Sequence, residues 1–161
     1  MTIRAVIDTS SLVSFGLRRE TQQLAQVGLF TAIWSPWIIA ELNRVLTWRW
    51  IKDPPASRAP NDLSDANERR CGDMAKAMME WLLPAFEVVT PLPPYPSAWV
   101  TLTDRWDEPI WAAAKVSGAQ YVVSENTRHY PPRHADGRYM HEGIEYMPGR
   151  AFLDMLVAGA T

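Results

Sequence analysis

The chain is poor in the features that would place it outside a reducing cytoplasm or in a membrane. Cys71 is the single cysteine among 161 residues, so no internal disulfide can form, and a cytoplasmic protein is expected. No stretch approaches the roughly 18 consecutive apolar residues that mark a membrane span. The opening Met-Thr-Ile-Arg runs straight into strand-like sequence, without the basic region and apolar core of a secretory signal. Positive charge is not in excess. A formal net charge of -2 makes no overall electrostatic case for nucleic acid, although it leaves room for a local basic patch. Internal repeats and low-complexity tails are missing. His129 and His134 lie in a loop without the companion Cys/His ligands of a zinc site.

What is present is an ordinary globular composition, 47% hydrophobic and 21% charged. The length suits one domain, residues 1–161, with a real core. Eight tryptophans are many for this size and suit core packing, a groove or an interface.

The most informative stretch is Arg4-Ala5-Val6-Ile7-Asp8-Thr9-Ser10-Ser11. A short apolar, β-favouring run ends in a carboxylate followed by three small hydroxyl residues. This predicts a buried first strand, Ile3 to Ile7, with an acid at its C-terminal tip. Thr9, Ser10 or Ser11 can cap a short following helix. Gly16 is expected to break the chain, and Thr21 to Val27 to form a helix closed by Gly28. Leu29 to Trp34 reads as a second strand. Ser35-Pro36 is a helix start signal, with Ser35 as N-cap and Pro36 in the first turn. The helix is expected to run through Leu46, with Ile38, Leu42 and Val45 on one face and Trp34 stapled against it.

Lys52 to Asp62 reads as a proline-containing loop. Ser64 to Leu83 reads as a long helix with Met74, Met78, Trp81 and Leu82 on one face, closed by Pro84. Phe86 to Val89 is a third strand, and the prolines of Thr90 to Ser97 predict an extended connector. Asp107 to Ser117 is a helix ended by Gly118, and Ala119 to Ser124 a fourth strand. A loop is expected from Asn126 to His141, then a fifth strand at Ile144 to Met147 and a helix through Val157. The alternation predicts an α/β fold with a central, largely parallel sheet of four to five strands.

Three acids stand out by position. Asp8 ends the first strand, Glu41 lies early in the helix after the second strand, and Asp107 opens the helix before the fourth, with Asp104 one turn ahead. In an open α/β sheet these places share one edge. Oxygen ligands gathered there suit Mg²⁺ or Mn²⁺, and packed carboxylates need a cation to offset their repulsion. Each acid also has a simpler reading. Asp104 and Asp107 suit a helix dipole, and Glu41 beside Asn43 and Arg44 suits a solvated face. Asp8 differs, because a carboxylate closing an apolar strand needs a partner when buried.

In order along the chain, Val6-Ile7-Asp8-Thr9-Ser10, Ser35-Pro36-Trp37-Ile38-Ile39-Ala40-Glu41-Leu42, the stretch from Asp104 to Ala114, and Gly118 to Asn126 with Thr127-Arg128-His129-Tyr130-Pro131 together resemble a PIN domain. The final strand and helix also fit, so the resemblance covers nearly the whole chain and implies an α/β/α sandwich. The Asn-x-x-His-aromatic-Pro segment is similar to toxin-like bacterial PIN proteins. The resemblance implies a Mg²⁺- or Mn²⁺-dependent ribonuclease acting on RNA; as the toxin of a toxin–antitoxin pair it would have an antitoxin covering the site or its rim, and a homodimer is expected because two-fold assembly is the commonest oligomeric state. It assigns Asp8, Glu41 and Asp107 as metal-holding and catalytic acids, with Asp104 as an additional acid. Ser124 falls at a hydroxyl position. Asn126 falls at a fourth site that is Asp in many members, and it brings no charge for a second metal. Thr9 and Ser10 are supporting residues that can bond a carboxylate or the scissile phosphate, or cap the helix.

Arg44, Arg128, Arg133 and His134 are candidate phosphate contacts. Trp37, Trp106 and Trp111 can stack on bases or pack the core. A haloacid-dehalogenase-like phosphatase also begins with a strand ending in Asp but needs a second Asp two positions on, where this chain has Ser10. A degenerate PIN domain that binds RNA or protein without cleaving is the remaining alternative.

Overall fold

In a computed structural model, the structure describes residues 2–54, 61–93, 95 and 107–159. The expected Asp104 and Trp106 lie outside the described residues.

The chain runs β1 (Arg4–Ile7), α1 (Thr9–Val13), α2 (Phe15–Gln26), β2 (Thr31–Trp34), α3 (Pro36–Lys52), α4 (Asp65–Leu82), β3 (Phe86–Val88), α5 (Glu108–Ser117), β4 (Tyr121–Val123), β5 (Tyr139–His141), β6 (Ile144–Met147) and α6 (Gly149–Gly159). The strands form one six-stranded sheet in the order β3-β2-β1-β4-β6-β5. All neighbours are parallel except the β5–β6 pair. Helices flank the sheet, with α3 packed on α4, α1 and α5, and α2 on α6.

β1 sits at the centre because Ala5, Val6 and Ile7 are apolar without alternation and all fully buried, as a parallel strand covered on both faces requires. From β1 the chain winds outward through β2 and β3, then returns to place β4 on the other side of β1. The order therefore reverses between β1 and β4, and a crevice opens at their C-terminal ends.

The start of α3 follows its sequence signal: Ser35 Oγ accepts from Ile38 N at 3.4 Å, with Pro36 in the first turn. At the end of α5, Gly118 adopts φ 65°, a left-handed C-cap that costs a glycine no Cβ clash.

Five expectations need correction. The sheet has six strands, because Tyr139–His141 inside the expected loop pairs antiparallel with β6. Its turn is Glu142-Gly143, with φ 46° and 82°, the two positive values of a type I′ hairpin without the usual asparagine. Gly16 lies inside α2, and the break falls at Ser14, which is extended between α1 and α2. α2 accordingly starts at Phe15, ahead of the expected Thr21. α3 continues beyond Leu46 to Lys52, because Leu46 and Ile51 carry its buried stripe onward. The inner face of α4 is Asn67, Cys71, Ala75, Met79 and Leu82, whereas Trp81 is 45% exposed. Small side chains at Cys71 and Ala75 face α3, the helix with which α4 makes its main contact, and that packing turns Met79 inward in place of Trp81.

Candidate active site

Asp8 is the first residue beyond β1 and Ser124 the first beyond β4. The register pairs Ile7 with Val123, and Asp8 N donates to Val123 O at 2.9 Å, so the two residues emerge side by side at the crevice. Asp8 is only 6% exposed. Its Oδ2 accepts from Ser10 Oγ at 2.6 Å and from Ser124 Oγ at 2.8 Å. The two hydroxyls are 3.1 Å apart. Ser10 Oγ also accepts from Glu125 N, and Ser124 Oγ from Asn126 N. Backbone amides thus orient both hydroxyls toward the carboxylate. Ser10 is not a helix cap; Asp8 itself occupies the N-cap of α1.

Among the described residues no cationic side chain pairs with Asp8 or Glu41. The hydrogen bonds to the Asp8 carboxylate fall on Oδ2, leaving Oδ1 for a ligand.

Asp8, Thr9, Ser10, Glu41, Asp107 and Asn126 line one cleft of about 450 Å³, whose apolar wall is Val13, Val45 and Ile110. The structure therefore brings together residues from β1, α1, α3, α5 and the segment after β4. Thr9 faces inward, its Oγ1 3.5 Å from Ile38 O. Glu41 is half-buried and also borders a neighbouring hollow formed with Trp37, Ala40 and Arg44.

Asp107 holds the N-cap position of α5 without a side-chain capping bond. Its Oδ2 instead lies 3.3 Å from His129 Nδ1, and Asn126 Nδ2 lies 3.0 Å from the same ring nitrogen. His129, expected only as a loop residue, is thus part of the site. The turn Thr127–His129 folds it back, a placement that a hydrophobic pattern does not encode.

Glu125 points away from this cluster. Its Oε1 accepts from Gly149 N at 2.6 Å, at the start of α6. Arg128 is in the same turn as His129. Arg133 lies outside the cleft, with Nε donating to Gly137 O at 2.8 Å and its guanidinium over the Tyr139 ring. His134 belongs to that turn through its backbone bond to Arg138 O. Trp111 is fully buried, so core packing claims it, whereas Trp37 is exposed.

Two phenols border the site. Burial raises the Tyr130 pKa above its ordinary value, with the negative charges of Glu125 and Asp8 adding to it. Burial likewise raises that of Tyr146, helped by Asp107 and Asp8. Both stay protonated at neutral pH, and the Tyr130 hydroxyl donates to Ser124 O.

A family model described as PIN domain matches residues 4–128, well over half of the chain. The chain belongs to the PIN domain family. The matched span runs from β1 into the turn after β4 and takes in Asp8, Glu41, Asp107, Ser124 and Asn126. PIN domains are nucleases in general and typically use divalent metals. No curated protein matches the chain.

Among the described residues, no group of three or more His, Cys, Asp or Glu side chains is close enough to enclose a metal ion. The donor chemistry nevertheless fits a hard cation. Three carboxylates face one cleft, and Asp8 and Glu41 have no cationic partner among the described residues. Mg²⁺ is commonly held through one or two carboxylates with water and substrate oxygens completing its shell, so a closed protein cage is not required.

Proposed function

We propose that this PIN domain is a Mg²⁺- or Mn²⁺-dependent ribonuclease that hydrolyses RNA phosphodiester bonds. The observation that carries the reading is the convergence of Asp8, Glu41 and Asp107 on one cleft at the β1–β4 crevice. Asp8 and Asp107 are the residues that hold the ion, with Glu41 beside them. When bound, the ion supplies Lewis-acid stabilisation of developing phosphoryl charge and acidifies water.

The chain's own part follows from the site. Glu41 accepts a proton from the attacking water. The water oxygen bonds to phosphorus as the bond to the leaving ribose oxygen breaks, and that oxygen takes up a proton from solvent. Ser10 and Ser124 hold Asp8 in one orientation, so its ligating geometry needs no reorganisation during the reaction. Thr9 and Asn126 are neutral groups that can support the acids or contact the phosphate. Asp104 is proposed as an additional acid. Arg44, in the neighbouring hollow that Glu41 also borders, and Arg128, in the His129 turn, contact phosphates; Arg133 is engaged by Gly137 and Tyr139 and stands outside this group.

The proposal extends to a single domain over residues 1–161, a cytoplasmic location, a homodimer and a toxin role with an antitoxin covering the cleft. Asn126 in place of an acid, together with the lack of a three-residue cluster among the described residues, favours a second reading: a degenerate PIN domain that binds RNA or protein without cleaving it.

Cleavage of an RNA panel in Mn²⁺ separates the two. The ribonuclease reading expects wild-type cleavage that chelation abolishes. Asp8→Asn and Glu41→Gln should each lower it by more than the roughly 10–100-fold typical of disturbing an outer-shell partner. Equal cleavage by wild type and variants, or no cleavage by either, sinks it.

A further inference from the structure

One exposed surface extends from the reaction centre along α3. On α3, Glu41, Arg44, Trp48 and Lys52 follow at intervals of three and four residues, which aligns them in one stripe along the helix. A groove of about 610 Å³ runs beside this stripe, lined by Val13, Arg44, Val45, Trp48, Arg49 and Lys52, with Asp53 at its end. It shares Val13 and Val45 with the acid cleft, so the two are continuous. By helical rise, Lys52 lies roughly 16 Å along the axis from Glu41.

The chemistry of the groove is uneven. Three cations face one acid. Among the described residues, Arg44, Arg49 and Lys52 form no ion pair, unlike Arg4, Lys115, Arg138 and Arg150, which do. Arg49 also lies near a buried cation: burial first, then the Arg49 charge, lower the Arg18 pKa. The helix dipole accounts for Arg49 and Lys52 in the last turn of α3, but not for Trp48, 48% exposed just ahead of them. The Trp48 ring carries Lys52 Nζ 5.9 Å from its centroid. An exposed cation–π contact is weaker than a base–aromatic stack. A base can displace the ammonium, which the flexible lysine stem then carries to a phosphate.

We propose that this groove is a single-stranded RNA subsite in which one base stacks on Trp48 and Arg49 and Lys52 hold the flanking phosphates of a strand leaving the acid cleft. The subsite rests on the nuclease reading for its substrate but not on catalysis. A duplex does not suit it, because its bases are already stacked on one another and present no free face to Trp48.

The test is fluorescence anisotropy of a labelled single-stranded RNA with the full chain in EDTA, where binding is read without cleavage. Trp48→Ala should weaken binding about tenfold, the loss of one stacked base, and Trp48→Phe should restore most of it. Arg49→Ala with Lys52→Ala should weaken binding and flatten the dependence of log affinity on log salt by about 0.7 for each phosphate no longer neutralised. Lys76→Ala, on an exposed position of α4, should change neither. All four positions carry exposed side chains, and circular dichroism checks the fold. Unchanged affinity in Trp48→Ala and in the double variant overturns the subsite, as does undetectable binding by wild type. So does a Trp48→Ala effect on oligomeric state without one on RNA affinity, which would make the face an interface between copies. Asp8→Asn separates the two claims: it should abolish cleavage while still binding RNA in EDTA, and adding Trp48→Ala to it should weaken that binding by the same factor as in wild type. Binding that survives in Asp8→Asn with cleavage absent even in wild type would retain the subsite and reject the nuclease.

Discussion

Ser124 Oγ donates to Asp8 Oδ2 at 2.8 Å, across the point where β1 and β4 end side by side. The bond joins residues far apart in sequence and fixes a buried carboxylate that has no cationic partner among the described residues. Ser124→Ala removes one of two hydroxyl donors to that carboxylate. A hydrogen bond to a charged group contributes about 1.5–3 kcal/mol. With Ser10 still in place, the expected loss is about 1–2 kcal/mol in denaturant unfolding, accompanied by slower RNA cleavage. Ser124→Thr keeps the hydroxyl and should retain most of both.

His129 bears on Asp107 in a related way. Its Nδ1 lies 3.3 Å from Asp107 Oδ2 and 3.0 Å from Asn126 Nδ2. Partners that orient a ligating carboxylate typically contribute about 10–100-fold in activity or metal affinity. His129→Ala should lower cleavage within that range and weaken Mn²⁺ binding, while the melting temperature changes little because the side chain is partly exposed. Unaltered kinetics and metal affinity would show that the approach of the two side chains is incidental.

Glu125 serves the scaffold. Its Oε1 receives the Gly149 amide at 2.6 Å, at a helix N-terminus where negative charge is favoured. Glu125→Ala should cost about 1 kcal/mol without changing cleavage per folded molecule. A Cβ at position 149 would meet Glu125 Oε1 at 2.9 Å and Leu17 Cδ1 at 3.3 Å. Both are far ends of flexible side chains, so in Gly149→Ala the Glu125 carboxylate should move aside and loosen its bond to the 149 amide, lowering the melting temperature by no more than Glu125→Ala does.

These relationships separate what the sequence revealed from what it did not. Asp8, Ser35, Pro36 and Gly118 were readable because a strand tip, an N-cap, a first-turn proline and a left-handed C-cap are local chemistry. The α/β class followed from alternating elements. β5 was not readable: three residues with a Glu-Gly turn carry too little pattern. On α4, Leu82 was readable as an inner residue, whereas Cys71, Ala75 and Met79 were not, because the rotation of the helix is set by its packing against α3. The Ser10–Asp8–Ser124 network and the His129–Asp107 pair depend on β1 and β4 becoming neighbours, which no single segment determines.

The buried phenols predict alkaline behaviour. Burial first, then nearby carboxylates, raise Tyr130 and Tyr146 above the ordinary value of 10.0. Above about pH 10 the unfolded chain releases these protons while the folded chain retains them, so it is the unfolded state that gains from rising pH. Their contribution to stability is complete below about pH 10 and is lost as pH climbs beyond it. Thermal melts between about pH 8 and 11 should show a falling midpoint at the alkaline end. Tyr146→Phe should reduce that fall. At about pH 7 it should be neutral or slightly stabilising, since the Tyr146 hydroxyl is buried with no hydrogen-bond partner among the described residues.

In the proposed site Asp8 anchors a divalent cation at the β1–β4 crevice. Calorimetric titration of Mn²⁺ into the metal-free protein, side by side with Asp8→Asn, tests it most directly. The amide oxygen of the substituted side chain can still accept from Ser10 and Ser124, so the variant should fold normally. Wild type should bind one ion firmly and Asp8→Asn should lose that binding, with any second ion weak because Asn126 adds no charge. Identical Mn²⁺ isotherms for the two proteins, or no binding by wild type, would contradict it.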